Sequence, residues 1–153
     1  MPTLKDTLKA DLAVAMKSRD EVTRAALRMA LSAVSNAEVA GDEAVELTDE
    51  QVVAVLQAEA KKRTEAAEIY SQAGRTESAD QERAELAVLE RYLPAAMGED
   101  EIRAVVAEEV AAAAAGGVTG PKAMGGVVKA VRARVGASAD GSIVARLVKE
   151  ALG

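Results

Sequence analysis

The feature of this sequence that most constrains its fold is the spacing of its aliphatic residues, which recur every three or four positions. Leu4, Leu8, Leu12 and Met16 are each four residues apart, which places them on one face of a helix. Similar spacing recurs along the chain, and no segment shows the two-residue alternation typical of a half-buried strand. We therefore predict an all-α protein.

Capping and helix-breaking residues indicate where the helices begin and end. Thr48 and Gln51 have the spacing of a capping box, Thr3 and Asp140 are candidate N-caps, and Pro94 marks a domain boundary. The predicted helices cover approximately residues 4–17, 21–39, 49–73, 77–92, 99–114, 121–135 and 141–152. They predict two helical lobes, a four-helix lobe in an N-terminal domain (1–95) and a three-helix lobe in a C-terminal domain (96–153).

The composition excludes many kinds of catalytic and metal site. The chain has 35 alanines and 19 valines but two tyrosines and no phenylalanine or tryptophan, which predicts thin, closely packed helices. Because it has neither histidine nor cysteine, it lacks disulfides, thiolate nucleophiles, imidazole acid–base groups and the usual ligands of zinc, haem and iron–sulfur clusters. We expect no catalytic residue, no metal and no cofactor.

The remaining motifs have plain structural explanations. Glu65 and Glu68 lie three residues apart, as do Glu82 and Glu85, but this spacing is also typical of a solvated, salt-bridged helix face. No Ser-x-x-Lys spacing provides an activated serine. The glycine-rich segment 116–122 lacks the preceding strand and the Ser/Thr of a P-loop. A helix beginning near its proline could still bind one phosphate, or the segment could be an ordinary interhelix turn.

Charge is distributed unevenly along the chain. The net charge is −6, and residues 1–95 alone carry 12 basic and 18 acidic side chains. Residues 118–153 carry a net charge of +4, which indicates either a localised surface for an acidic partner or a solubilising face. Charged residues interrupt the N-terminus, so we predict no signal peptide, no membrane-spanning segment and a cytoplasmic location.

Two stretches of the chain resemble the GatB/YqeY family, specifically its stand-alone YqeY-like proteins. The first stretch is Ala84–Pro94 (AELAVLERYLP) and the second is Met124–Lys129 (MGGVVK), which Ala139-Asp140-Gly141 follows. Glu77-Ser78 departs from the Asp-Leu that is common in the family. Lys61-Lys62-Arg63 precedes the first stretch, and Arg28, Asn36 and Glu38 match the N-terminal pattern of the family. A structural polar cluster is expected from Arg28, Asn36, Glu38, Lys62 and Arg63.

The resemblance implies that the C-terminal lobe is similar to the tail domain of the B subunit of the aspartyl/glutamyl-tRNA amidotransferase, which contacts the tRNA body. The domains that perform the amidation are too large to be contained in 153 residues. We therefore predict a non-catalytic, cytoplasmic helical module that binds tRNA or a tRNA-handling protein, with neither a membrane nor DNA as partner. The residues expected to contact RNA phosphates, or to permit close approach, are Lys122, Gly125, Lys129, Arg132, Arg146 and Lys149.

Two alternatives remain open. The chain could be an accessory component of glutamine-dependent tRNA amidotransferase activity, a carbon–nitrogen ligase reaction with glutamine as amide donor. It could also be a protein–protein adaptor with no role in RNA binding. The sequence makes no prediction about the oligomeric state.

Overall fold

The structure, a computed structural model, describes residues 1–153 apart from the side chain of Ala137. It is all-α: 78% of the chain is helical, and the described residues form seven α-helices and no strand. The helices are α1 (Leu4–Ser18), α2 (Glu21–Glu38), α3 (Asp49–Gln72), α4 (Thr76–Glu90), α5 (Glu99–Ala115), α6 (Met124–Val135) and α7 (Gly141–Leu152). None of the helices in the described part of the chain combines the length and the apolar composition that a bilayer crossing requires.

The helix starts follow the capping residues of the sequence. Thr48 Oγ1 accepts from the backbone N–H of Gln51 at 3.2 Å, and the Gln51 side chain accepts from the Thr48 N–H at 2.9 Å. Thr3 caps α1 in the same reciprocal way, and the Asp140 side chain accepts from the N–H of Ser142 at the start of α7. These contacts satisfy backbone donors that a helix start leaves unpaired.

The start of the sixth helix differs from the sequence-based expectation. A 3₁₀ turn covers Gly120–Ala123, and regular α-helix begins only at Met124. Gly120 has a φ of +65°, and Pro121 lies within the first two positions of the turn. Because proline has no backbone N–H and glycine readily adopts positive φ, this segment favours a tight turn at the helix entrance.

The chain divides into two compact units, an N-terminal unit (Met1–Leu93) and a C-terminal unit (Pro94–Gly153). The N-terminal unit contains α1–α4 around an aliphatic core in which Leu8, Leu27, Leu56 and Leu89 are fully buried. Alanines of α2 and α3 are buried in the same core, which lets the helices approach closely without aromatic side chains.

The C-terminal unit contains α5–α7 around a separate core. Val127, Val131 and Val135 lie four residues apart on the buried face of α6, where they pack with Ile102 of α5 and Leu147 of α7. Burial of this face directs the opposite face of α6 toward solvent. The fold therefore positions every residue of α6 that is expected to bind a partner.

Candidate functional site

The exposed face of α6 carries the most distinctive group of residues in the C-terminal unit. Gly125, Lys129 and Arg132 follow one another at helical spacing and are all exposed, opposite the buried valines. Lys122 is also exposed, in the 3₁₀ turn that precedes the helix. We call Lys122, Lys129 and Arg132, together with Gly125 and Gly126, the basic face.

The two glycines of the basic face have no packing role within the protein. A Cβ atom built on Gly125 or on Gly126 meets no heavy atom within 4 Å, so no neighbouring helix requires a missing side chain there. Both have ordinary helical backbone, since neither has a positive φ. Glycine in such a position destabilises a helix by about 0.5–1 kcal/mol relative to alanine. The packing of the protein therefore does not explain why glycine occupies both positions.

Ion pairing separates the basic residues of the C-terminal unit into two groups. Arg134 pairs with Glu108 at 2.7 Å and with Glu109 at 3.2 Å, and Arg103 pairs with residues of α5 and with Glu150. In contrast, no ion pair within the described residues engages the basic face or Lys149. Four exposed cations therefore remain available to a partner.

Arg146 belongs to the paired group, although the sequence places it with the RNA-binding residues. Its guanidinium donates to Glu99 and, at 3.2 Å, to Glu150. These hydrogen bonds raise the pKa of the Arg146 guanidinium above its ordinary value. An RNA phosphate would have to compete with two carboxylates for this side chain.

The net charge of +4 calculated for residues 118–153 does not include helix α5. This helix carries five acidic residues, and the C-terminal unit as a whole has seven acidic and seven basic side chains, a net charge of zero. The signal was present in the acid-rich run 99–109, but the packing of α5 against α6 and α7 was required to show which arginines it neutralises.

A small groove borders the basic face. It has a volume of about 240 Å³ and includes Lys122, Gly126 and the exposed Val118 among its lining residues. Glu109 also lines it, while its carboxylate remains bound to Arg134. The groove gives the basic face an apolar border rather than a second cluster of charges.

The five residues expected to form one polar cluster in the N-terminal unit do not form a single cluster. Glu38 accepts from Lys5 at 2.6 Å and from the Leu47 N–H, and these hydrogen bonds lower the pKa of Glu38. Arg28 and Asn36 are exposed on α2. Within the described residues, no hydrogen bond or ion pair joins any two of the five.

Lys62 and Arg63 take part in a different network, centred on two glutamates that the sequence analysis did not assign to it. Arg63 Nη1 lies 3.1 Å from Glu59 Oε2, and Arg63 Nε lies 3.5 Å from Glu85 Oε2. Glu59, Arg63 and Glu85 are all buried, while Lys62 reaches Glu59 from the surface. The spacing of Glu59 and Arg63, four apart on one helix, was the only sequence signal for this network.

The basic face offers exposed cations that an anionic group could contact. The described residues contain no group of three or more acidic side chains placed to hold a metal ion. Gly125 and Gly126 leave helix backbone uncovered between the exposed Lys122 and Lys129 in the chain, and a phosphate-bearing partner could approach this backbone closely.

Comparison with known proteins gives one positive result. No match to the chain was found among curated proteins. The family model of Yqey-like proteins matches residues 5–152, which include both compact units almost completely. The protein therefore belongs to the YqeY-like family.

Proposed function

We propose that this protein is a non-catalytic, cytoplasmic module that binds tRNA through the basic face of its C-terminal domain. The proposal includes the division into an N-terminal YqeY-like domain (1–95) and a C-terminal domain (96–153) that is similar to the tail domain of the amidotransferase B subunit. RNA is the partner favoured by that similarity and by the chemistry of the basic face.

The observation that carries the proposal is the combination of Gly125 and Gly126 with unpaired cations. Lys122 precedes the two glycines, Lys129 and Arg132 follow Gly125 by about one and two helical turns, and the missing side chains leave open space outside the protein. A sugar–phosphate backbone fits this arrangement, because it presents repeated negative charges and can lie directly against helix backbone. The absence of phenylalanine and tryptophan also favours recognition of phosphates and RNA shape over stacking on unpaired bases.

The six residues predicted to bind RNA do not contribute equally in this proposal. Lys122, Lys129 and Arg132 make the main phosphate contacts, Gly125 permits the close approach, and Lys149 of α7 supplies an additional exposed cation. Arg146 contributes little, because Glu99 and Glu150 already bind its guanidinium.

The decisive experiment measures binding of labelled, mixed tRNA to the full chain by fluorescence anisotropy over a series of salt concentrations. We expect Lys129→Gln combined with Arg132→Gln to weaken binding by about tenfold or more at about 50 mM salt. We also expect the slope of log affinity against log salt to decrease by about 2, since each lost phosphate contact removes about one released counterion.

A matched control removes two cations that are already paired. Arg103→Gln combined with Arg134→Gln changes the net charge equally, but both arginines are bound to carboxylates, so we expect less than about a threefold loss. Equal losses in the two double variants would contradict the basic face as the site. If the unaltered protein binds no tRNA at about 50 mM salt, RNA binding is excluded and the adaptor hypothesis replaces it.

A further inference from the structure

The N-terminal unit contains a groove that the proposed RNA-binding function does not use. It lies where the second half of α1, the start of α2 and the segment after α4 meet, and its volume is about 450 Å³. This volume is within the range of about 300–1,000 Å³ that is typical of small-molecule sites. Val14 and Ala15 line one part, and polar side chains line the rest.

Two carboxylates lie in this groove in fixed orientations. Asp11 Oδ2 accepts from the hydroxyl of Tyr92 at 2.6 Å, and burial together with this hydrogen bond raises the pKa of Tyr92 to about 12. Asp20 accepts from the hydroxyl of Thr23 at 2.7 Å and from the Thr23 N–H at 3.1 Å, and these hydrogen bonds lower the pKa of Asp20. Each carboxylate is held by a hydrogen bond from a neighbouring hydroxyl, and Asp11 Oδ1 accepts no hydrogen bond within the described residues.

Among the described residues that line the groove, the cationic side chain is Arg91. Arg91 is exposed, and no ion pair within the described residues engages its guanidinium. Its charge nevertheless contributes to lowering the pKa of Asp20 and opposes the rise in the pKa of Tyr92. Arg91 therefore interacts electrostatically with Asp20 and with Tyr92, the hydrogen-bond partner of Asp11.

We propose that this groove binds a small zwitterionic ligand, such as an aliphatic α-amino acid, that bridges Arg91 and Asp11. The ligand carboxylate accepts from the guanidinium of Arg91, and the ligand ammonium donates to Asp11 Oδ1. The two aspartates repel a simple anion and a simple cation leaves Arg91 unpaired, whereas a molecule with both charges pairs with a group of each sign. Bidentate pairing of guanidinium with carboxylate adds geometric selectivity.

The apolar part of the groove suggests the side chain of the ligand. Val14 is 64% exposed although it is aliphatic, and it lies beside the buried Ala15 on the groove wall. An aliphatic side chain placed against Val14 would remove apolar surface of both molecules from water. We therefore choose L-leucine as the probe.

The test compares L-leucine with N-acetyl-L-leucine, which lacks the ammonium, and L-leucine amide, which lacks the carboxylate. Binding to the full chain is measured by NMR chemical-shift changes of backbone amides, including those of Ser18 and Thr23 in the groove. For a ligand of this size we expect a dissociation constant of about 1–10 mM. Each derivative should bind at least about tenfold more weakly, because each leaves one charged group of the groove unpaired.

Substitutions of Asp11 and Arg91 test whether L-leucine binds in this groove. Asp11→Asn keeps an acceptor for Tyr92, and it should weaken L-leucine binding about tenfold and remove the preference over N-acetyl-L-leucine. Arg91→Gln should likewise remove the preference over L-leucine amide. The control variant Arg83→Gln changes an exposed arginine of α4 that lies outside the groove, and it should leave binding unchanged.

Three results would each overturn the proposal. The first is the absence of shift changes in the groove at about 20 mM L-leucine, about twice the highest dissociation constant expected. The second is binding of both blocked derivatives as tight as that of L-leucine. The third is unchanged L-leucine binding by both groove variants. None of these results bears on tRNA binding, which concerns a different unit of the chain.

Discussion

At the scale of single residues, Gly125 offers a prediction in which stability and binding change in opposite directions. Gly125→Ala places a methyl group in open space on helical backbone. We expect the free energy of unfolding of the C-terminal unit to rise by about 0.5–1 kcal/mol, because alanine loses less conformational freedom in a helix. We expect tRNA affinity to fall, since the methyl group keeps the RNA backbone away. Chemical denaturation and anisotropy measure the two effects.

The glycine of the α3–α4 turn provides the matched control. Gly74 has a φ of +76°, so Gly74→Ala should destabilise the N-terminal unit although nothing lies within 4 Å of the added Cβ. It should leave tRNA affinity unchanged. A loss of stability in Gly125→Ala similar to that in Gly74→Ala would contradict the open, unstrained placement of Gly125.

At the scale of elements, the buried network of Glu59, Arg63 and Glu85 joins α3 to α4. Removal of one member of a buried ion pair leaves uncompensated charge and costs about 3–5 kcal/mol. Arg63 lies between two buried carboxylates, so we expect Arg63→Ala to lower the free energy of unfolding by about that amount. Urea denaturation monitored by far-UV circular dichroism measures the change.

Two further variants separate the charge of Arg63 from its packing. Arg63→Met retains an apolar stem, and we expect it to lose nearly as much stability as Arg63→Ala. Arg83→Ala removes an arginine from an exposed pair with Asp80 at 3.4 Å, and we expect a loss below about 1 kcal/mol. Similar small losses in all three variants would show that the buried network contributes little.

At the scale of the whole molecule, the separate cores of the two units predict separate unfolding transitions. Both tyrosines, Tyr70 and Tyr92, belong to the N-terminal unit, so tyrosine fluorescence reports on that unit alone. Far-UV circular dichroism reports on all seven helices. Domains of about 60 residues bury a smaller fraction of their surface than larger ones, so we expect the C-terminal unit to unfold first.

The measurement is thermal unfolding followed by both signals on one sample. We expect two transitions in circular dichroism and only the upper one in fluorescence. Gly125→Ala should raise the midpoint of the lower transition only, because it changes the C-terminal unit alone. Coincident transitions in both signals would mean that the chain unfolds as one cooperative unit.

The sequence by itself determined the all-α class, the approximate bounds of the helices and the three N-caps Thr3, Thr48 and Asp140. These features depend on local chemistry: the spacing of aliphatic residues, and side chains such as Thr48 that bind backbone groups three residues away. The resemblance to YqeY-like proteins was also read directly from motifs in the chain, and the match over residues 5–152 confirms it.

Only the tertiary structure decided how charged side chains pair and which surfaces remain open. Arg146 binds Glu99, 47 positions away, and Tyr92 binds Asp11, 81 positions away. The tertiary structure also showed that Gly125 faces open space rather than a neighbouring helix. Such contacts depend on which helix faces pack together, and helical spacing determines the composition of a face but not the face it meets. For this reason, the candidate RNA-binding residues could be named from the sequence, while their separation into paired and unpaired cations could not.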